Sequence, residues 1–183
     1  YTGNMIVVAP DYHLAPEYKF PAGLNEAYET LVWTKNNIGL YYGDEGNISV
    51  AGDSSGGNFA AAVSIMARDQ EGPKIRKQIL FYPLTTNYEE EITDSEQHYQ
   101  VGYFLNYNCM NNPMAHYFEN EEDVKNSLAS PLLEDNLKGL PPACFISAEC
   151  DPLLDQGLQY AAKLQDAGVK VEYHILKGML HGF

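Results

Sequence analysis

The feature that most restricts the fold of this chain is a glycine-rich turn between a strand and a helix. The letters G-D-S-S-G at 52–56 match the pattern G-x-S-x-G. They follow an apolar strand predicted over 48–51 and open a stretch with apolar residues at helical spacing. A turn in this context holds a serine in strained backbone at the edge of a sheet. The chain is therefore predicted to fold as an α/β protein around Ser54.

The register of the turn identifies Ser54 as the candidate nucleophile. Positions two residues before and after it must lack bulk in so tight a turn, which explains Gly52 and Gly56. If Ser55 were the nucleophile, Asp53 would occupy a crowded position. The backbone N–H of Ser55 lies at the predicted helix N-terminus, where it can donate to an oxyanion. A phosphate-binding turn is the alternative, but neither G-x-G-x-x-G nor G-K-[ST] occurs here.

Apolar strands alternate with helical patterns along the chain, which predicts a mostly parallel sheet with helices on both faces. The predicted strands are 5–8, 48–51, 79–82, 143–148 and 169–175. Residues 1–183 are read as a single catalytic domain. The segment from about 85 to 136, rich in Tyr, Asn and acidic residues, breaks the rhythm and is predicted to be a cap-like insertion.

An acid and a base follow two later strands. Asp151 comes just after the strand at 143–148, and His181 comes after the strand at 169–175. The C-terminal ends of parallel strands share one edge of a sheet, so Ser54, Asp151 and His181 are expected to converge there. The imidazole would take the proton of the serine hydroxyl, and the carboxylate would orient and stabilise the imidazole.

Other acids and histidines fit this arrangement less well. Asp151 is also a candidate helix N-cap, since Pro152 suits a first helical position. Asp155 lies one helical turn further on and is predicted to point away from the sheet edge. His174 lies inside the last predicted strand. The remaining histidines precede the acid in the chain; they are His13, His98 and His116.

Composition argues against several classes of function and site. A formal net charge of −14 argues against binding nucleic acid. Three cysteines without C-x-x-C spacing argue against a disulfide framework or a zinc site. No apolar run is long enough to cross a bilayer, and the cytoplasm is the default location. The chain begins at Tyr1 without methionine, so its true N-terminus is expected upstream.

Several further motifs occur in a fixed order. They are D-Y-H-L-A-P-E at 11–17, F-P-A at 20–22, G-D-S-S-G-G at 52–57, S-P-L at 130–132, G-L-P-P at 139–142, D-P-L-L-D at 151–155 and H-G-F at 181–183. With them the chain resembles the hormone-sensitive-lipase-like family of α/β-hydrolase esterases, in its microbial carboxylesterase branch. The resemblance implies the α/β-hydrolase fold with an eight-stranded sheet. It also implies hydrolysis of short- to medium-chain acyl esters through an acyl-enzyme, without cofactor or metal, by Ser54, Asp151 and His181.

The chain departs from the family pattern in two places. His13 stands where the family has arginine. The H-G-G-G loop that supplies further oxyanion donors is absent; it and a preceding strand are expected upstream of Tyr1, and a helix is expected after Phe183. We therefore expect a fold truncated at both ends. The isolated fragment is expected to be weakly active or inactive, because losing one oxyanion donor costs about 10²–10³ in rate.

Two other functions stay open at this stage: a peptidase or amidase on the same scaffold, and a non-catalytic hydrolase-like binding protein. A small-molecule ester is the expected partner in the preferred interpretation. Aromatic residues of the insertion could line an acyl pocket or form the core of the cap; they are Tyr103, Phe104, Tyr107, Tyr117 and Phe118.

Overall fold

The computed structural model describes residues 4–88, 91–105 and 116–183. Within these ranges, four strands form one parallel sheet in the order β1-β2-β3-β4. The strands are β1 (Val50–Asp53), β2 (Gln78–Phe81), β3 (Ala143–Cys150) and β4 (Val171–Leu180). The helices are α1 (Ala22–Asn37), α2 (Ser55–Asp69), α3 (Asp94–Tyr99) and α4 (Leu154–Asp166).

The last four predicted strands are confirmed, with changed ends. Each pairs in parallel with its neighbour, so their C-terminal ends lie at one edge. Strand β4 runs further than its apolar alternation indicated, to Leu180, so that His181 follows it directly. Strand β3 likewise reaches Cys150, which brings Asp151 to the same edge. The two residues are therefore placed by the ends of neighbouring strands.

The core lies on one face of the sheet. One buried cluster joins Ala61 and Ile65 of α2, Leu80 and Phe145 of the sheet, and Tyr160 and Leu164 of α4. A second cluster joins α1 to α2, through Leu24, Leu31, Val63 and Met66. Residues that alternate with the first cluster, such as Ile79 and Ile146, are half-buried. The sequence predicts helices on both faces of the sheet. Among the described residues, helices cover one face.

The strand predicted at 5–8 is wrong for this structure. No strand is assigned there, and the side chains of Met5 and Val7 are 79% and 83% exposed. An extended segment becomes a strand only when a neighbour accepts and donates its backbone hydrogen bonds. No described residue supplies that neighbour, because β1 is itself an edge of the described sheet. Four strands are described where the family resemblance implied eight.

The start of α4 also differs from the prediction. Asp151 is not the N-cap: the helix begins at Leu154, after a turn at Pro152 and Leu153. The extra turn leaves the Asp151 carboxylate at the sheet edge, where its Oδ1 accepts the N–H of Leu153 at 2.9 Å. Gly168 ends the helix as predicted, with a φ of +82°.

The segment between β2 and β3 carries α3 and two short 3-10 helices, Glu121–Lys125 and Pro131–Leu133. Thr93 caps α3, its hydroxyl accepting the N–H of Glu96. No helix in the described part of the chain is long and apolar enough to cross a membrane.

Candidate active site

Ser54 occupies the turn between β1 and α2. Its φ of 54° and ψ of −116° put a residue with a side chain in strained backbone. Three backbone hydrogen bonds hold it there. Its N–H donates to the carbonyl of Phe81 at 3.0 Å, and its own carbonyl accepts from Leu84 and Asn58, both at 3.1 Å. The turn therefore fixes the hydroxyl at the C-terminal edge of the sheet.

Two glycines make this turn possible. A Cβ on Gly52 would lie 2.1 Å from the carbonyl oxygen of Gly56, a distance that no side chain tolerates. A Cβ on Gly57 would lie 2.8 Å from Cβ of Pro83. By contrast, a Cβ on Gly56 would meet Asp53 Oδ1 at an ordinary 3.8 Å. The prediction for Gly52 is confirmed, whereas Gly57 rather than Gly56 is the second position at which bulk is excluded.

Ser54, His181 and Asp151 form a continuous chain of hydrogen bonds. Nδ1 of His181 lies 2.8 Å from Oδ2 of Asp151, and Nε2 of the same ring lies 2.9 Å from Oγ of Ser54. A carboxylate accepts only, so Nδ1 carries the proton and donates to it. Nε2 is then left to accept the serine O–H. This tautomer is the one that an imidazole needs in order to act as a base toward serine.

The acid and the base are withdrawn from water. Asp151 is 1% exposed and His181 is 7% exposed, whereas Ser54 is half-buried and accessible. Both oxygens of Asp151 have donors, from Leu153 and His181, which offsets the cost of burying a carboxylate. Once the imidazole is protonated, the adjacent carboxylate stabilises its charge strongly because little water screens the pair.

Tyr82 forms a wall beside the imidazole. Its ring centroid lies 4.7 Å from that of His181 and 5.0 Å from that of Phe183. Burial raises the pKa of the Tyr82 phenol, and the carboxylates of Asp53 and Asp151 raise it further. The ring therefore stays neutral beside the base. Sequence analysis missed Tyr82; its position just after β2, at the same edge as Ser54, is the signal that points to it.

Ser55 is the first residue of α2. Its N–H therefore has no acceptor within the helix and lies at the positive end of the helix dipole. It directly follows Ser54 along the chain, so this N–H is the predicted donor for a negative oxygen formed on a carbonyl attacked by Ser54.

The competing acid and histidines make other contacts. Asp155 accepts the N–H of Ser95 through Oδ2 at 2.7 Å, one turn away from the sheet edge. His174 is exposed within β4. Among the earlier histidines, Nδ1 of His13 lies 2.6 Å from Glu26, Nδ1 of His98 lies 2.8 Å from the carbonyl of Asp94, and His116 is exposed.

The aromatic residues of the insertion fall into two groups. Phe118 is buried and its ring packs on Phe20 and Tyr117, so it belongs to a core and not to an open pocket. Phe104 is 75% exposed and lies against Gly182, next to His181. Tyr107 lies outside the described residues.

One cluster of three possible metal ligands occurs among the described residues. Donor atoms of Cys144, Glu172 and His174 lie within 4.8 Å of one another. The pairing of Cys144 with Glu172 across β3 and β4 creates it, which spacing along the sequence does not reveal. Lys77 Nζ already binds the Glu172 carboxylate at 3.0 Å. The cluster begins at the N-terminal ends of the strands, whereas Asp151 and His181 follow their C-terminal ends.

Comparison with known proteins gives consistent matches. The model of a family described by its alpha/beta hydrolase fold matches residues 2–183. An arylesterase of Saccharolobus solfataricus is 38% identical over 178 residues, which cover 97% of this chain and 57% of that protein. Carboxylesterase NlhH of Mycobacterium tuberculosis is 36% identical over 181 residues, covering 97% of this chain and 56% of that protein.

Solved structures agree with these relatives. An esterase of Pyrobaculum calidifontis superposes with a TM-score of 0.90 at 40% identity, covering 94% of this chain and 56% of that one. The carboxylesterase EstE1, cloned from a metagenomic library, gives the same TM-score and identity and is covered to 59%. The chain thus spans somewhat more than half the length of the proteins that it matches.

Proposed function

The chain belongs to the α/β-hydrolase fold family, and we propose that the protein containing it is a serine carboxylesterase. One observation supports this above the others: the hydrogen-bonded chain from Ser54 through His181 to Asp151. This chain of hydrogen bonds joins a candidate nucleophile, a base and an orienting acid. The relatives that this chain matches are named as esterases. The activity is proposed for the whole protein. This chain contributes the serine, histidine and aspartate side chains to it.

The first half of the reaction forms an acyl-enzyme. Ser54 Oγ attacks the ester carbonyl carbon while Nε2 of His181 takes the hydroxyl proton. The carbonyl oxygen becomes an oxyanion, to which the N–H of Ser55 donates. When the tetrahedral intermediate collapses, His181 gives its proton to the departing alcohol oxygen. Ser54 is left as an acyl ester.

The second half repeats the steps with water. His181 takes a proton from water, the hydroxide attacks the acyl carbonyl, and the proton returns to Ser54 as the carboxylic acid leaves. Asp151 stays ionised throughout. It holds Nδ1–H in place and stabilises the imidazolium that forms twice in each turnover.

The substrate class is a small ester with a short- to medium-chain acyl group. The names of the relatives support an ester, including an ethyl acetate hydrolase of Pseudomonas putida that is 33% identical over 178 residues. We also propose that the segment from about 85 to 136 acts as a cap over the site. Its helix α3 joins the start of α4 through hydrogen bonds between Ser95 and Asp155.

The test uses the whole protein with Ser54→Ala. We expect p-nitrophenyl acetate hydrolysis to fall by at least about 10⁴, with unchanged circular dichroism. A fluorophosphonate probe should label the wild type and not the variant. Ser49→Ala, at an exposed serine just before β1, is the matched control and should be labelled fully. Labelling of Ser54→Ala, or faster hydrolysis of an anilide than of the matching ester, would contradict the proposal.

A further inference from the structure

Strand β4 carries two more residues than β3 just before the base. In the regular register, Ala148 of β3 pairs with Leu176 of β4. The next pair is Cys150 with Leu180. One residue of β3, Glu149, therefore stands opposite three residues of β4. An irregularity of this kind is a β-bulge, and bulges next to active sites re-aim the side chains that follow them.

The bulge brings the acid and the base level with each other. Asp151 and His181 directly follow the paired residues Cys150 and Leu180, so they leave the sheet at the same height. Had the earlier register continued, Met179 would stand opposite Asp151, and His181 would lie two residues further on. Two residues of strand span about 6–7 Å. The 2.8 Å contact between Nδ1 of His181 and Oδ2 of Asp151 could not form across that distance.

The alternation of side chains along β4 does not by itself hold the bulged register. A slip by one residue moves every side chain to the other face of a sheet, and burial opposes it strongly. A slip by two residues leaves each side chain on its own face, because the period of a strand is two. A local contact is therefore needed to favour the bulged pairing over the regular one.

Glu149 makes such a contact. Its Oε2 accepts the N–H of Gly178, the middle one of the three extra-ladder residues, at 2.7 Å. Gly178 has no paired residue on β3, and a carboxylate is a strong acceptor for its N–H. The φ of Gly178 is +69°, in the left-handed region that favours glycine. Building on the proposed esterase function, we infer that Glu149 is a positioning residue for His181. It acts through the backbone of Gly178, by holding the bulge that sets the base beside the acid.

The experiment measures p-nitrophenyl acetate hydrolysis with the whole protein. Glu149→Ala removes the acceptor, and we expect kcat and kcat/KM to fall together by about 10²-fold, the effect of misplacing a reacting group by about 1 Å. Glu149→Gln keeps a side-chain oxygen that can accept the same N–H, so it should stay within about threefold of the wild type. Glu172→Ala is the matched control and should leave kcat unchanged. It also removes a carboxylate bonded across the sheet, to Lys77 Nζ at 3.0 Å, but where the pairing is regular.

Gly178→Ala disturbs the same bulge from the other strand. No described atom lies within 4 Å of the added Cβ, so the change strains only the backbone. We expect kcat to fall about tenfold. Unchanged kcat in both Glu149→Ala and Gly178→Ala would overturn the inference. A loss in Glu149→Gln as large as that in Glu149→Ala would also overturn it, because the charge and not the bond to the N–H would then matter.

Crystal structures of the variants separate this inference from the proposed function. In Glu149→Ala we expect Nδ1 of His181 to lie beyond hydrogen-bonding distance of Asp151 Oδ2, whereas Glu149→Gln should keep the contact at 2.8 Å. The wild-type distance in Glu149→Ala would overturn the positioning role. Wild-type protein that hydrolyses no ester would overturn the proposed function alone, and the distance in Glu149→Ala would still decide whether Glu149 positions His181.

Discussion

The carboxylate of Asp151 and the imidazole of His181 meet at 2.8 Å where both side chains are nearly inaccessible to water. Replacing the carboxylate by an amide keeps the shape but allows Nδ1 to accept, which moves the ring proton to Nε2. We expect Asp151→Asn in the whole protein to lower kcat for p-nitrophenyl acetate about 10⁴-fold. The exposed Asp166→Asn on α4 is the control. A loss smaller than about tenfold would contradict the assigned acid.

The glycines of the turn at Ser54 give a stability prediction. Gly52→Ala places a Cβ 2.1 Å from a backbone oxygen that cannot move without opening the turn. We expect the free energy of unfolding to fall by about 3 kcal/mol or more, and the hydrolysis rate with it. Gly56→Ala is the matched change, since its Cβ meets Asp53 at 3.8 Å, and it should cost less than about 1 kcal/mol. Urea unfolding of both variants measures the difference.

Gln156 joins α4 to the chain segment behind the nucleophile. Its buried Oε1 accepts the N–H groups of Thr85 and Thr86 at 2.6 and 3.1 Å. Thr85 follows Leu84, whose N–H holds the carbonyl of Ser54. Gln156→Leu fills similar space but leaves both N–H groups without this acceptor, so we expect a loss of about 2–4 kcal/mol. The exposed Gln159→Leu should be near neutral; equal urea midpoints for the two would contradict this role.

The positions of four strands along the chain, and the residues that follow them, could be predicted from the sequence because both are local features. Three of the four apolar runs ended at a glycine, a proline or an acidic residue. Ser54, Asp151 and His181 stand directly after three of the strands that formed. Parallel pairing then brings strand ends together whatever lies between them. That topology brings the three side chains to one edge of the sheet, where the hydrogen bonds between them form.

What sequence analysis missed depends on contacts between distant residues. Glycine is needed at 57 because Pro83 lies against it. Gln156 acts through its hydrogen bond to Thr85, and Tyr82 acts through its ring contact with His181. A strand at 5–8 was predicted from its apolar residues, but strand formation depends on a partner that no described residue provides. The apolar pattern of a segment shows which of its side chains are able to be buried. Whether they are buried depends on the distant residues that pack against the segment.

Tyr173 on β4 makes stability depend on pH in the alkaline range. Its ring stacks on Phe145 at 5.1 Å, and burial raises the pKa of its phenol to about 12. In the unfolded chain this phenol ionises near pH 10, so the unfolded state loses the proton first. Its contribution to stability is therefore complete below about pH 10 and is lost as pH rises toward 12.

Tyr173→Phe should flatten the fall in urea midpoint above pH 10. The Tyr173 phenol is hydrogen-bonded to the hydroxyl of Ser147 at 2.9 Å, a bond that both Tyr173→Phe and Ser147→Ala remove. Ser147→Ala keeps the phenol, so it should retain the fall. A wild-type slope in Tyr173→Phe would contradict the assignment.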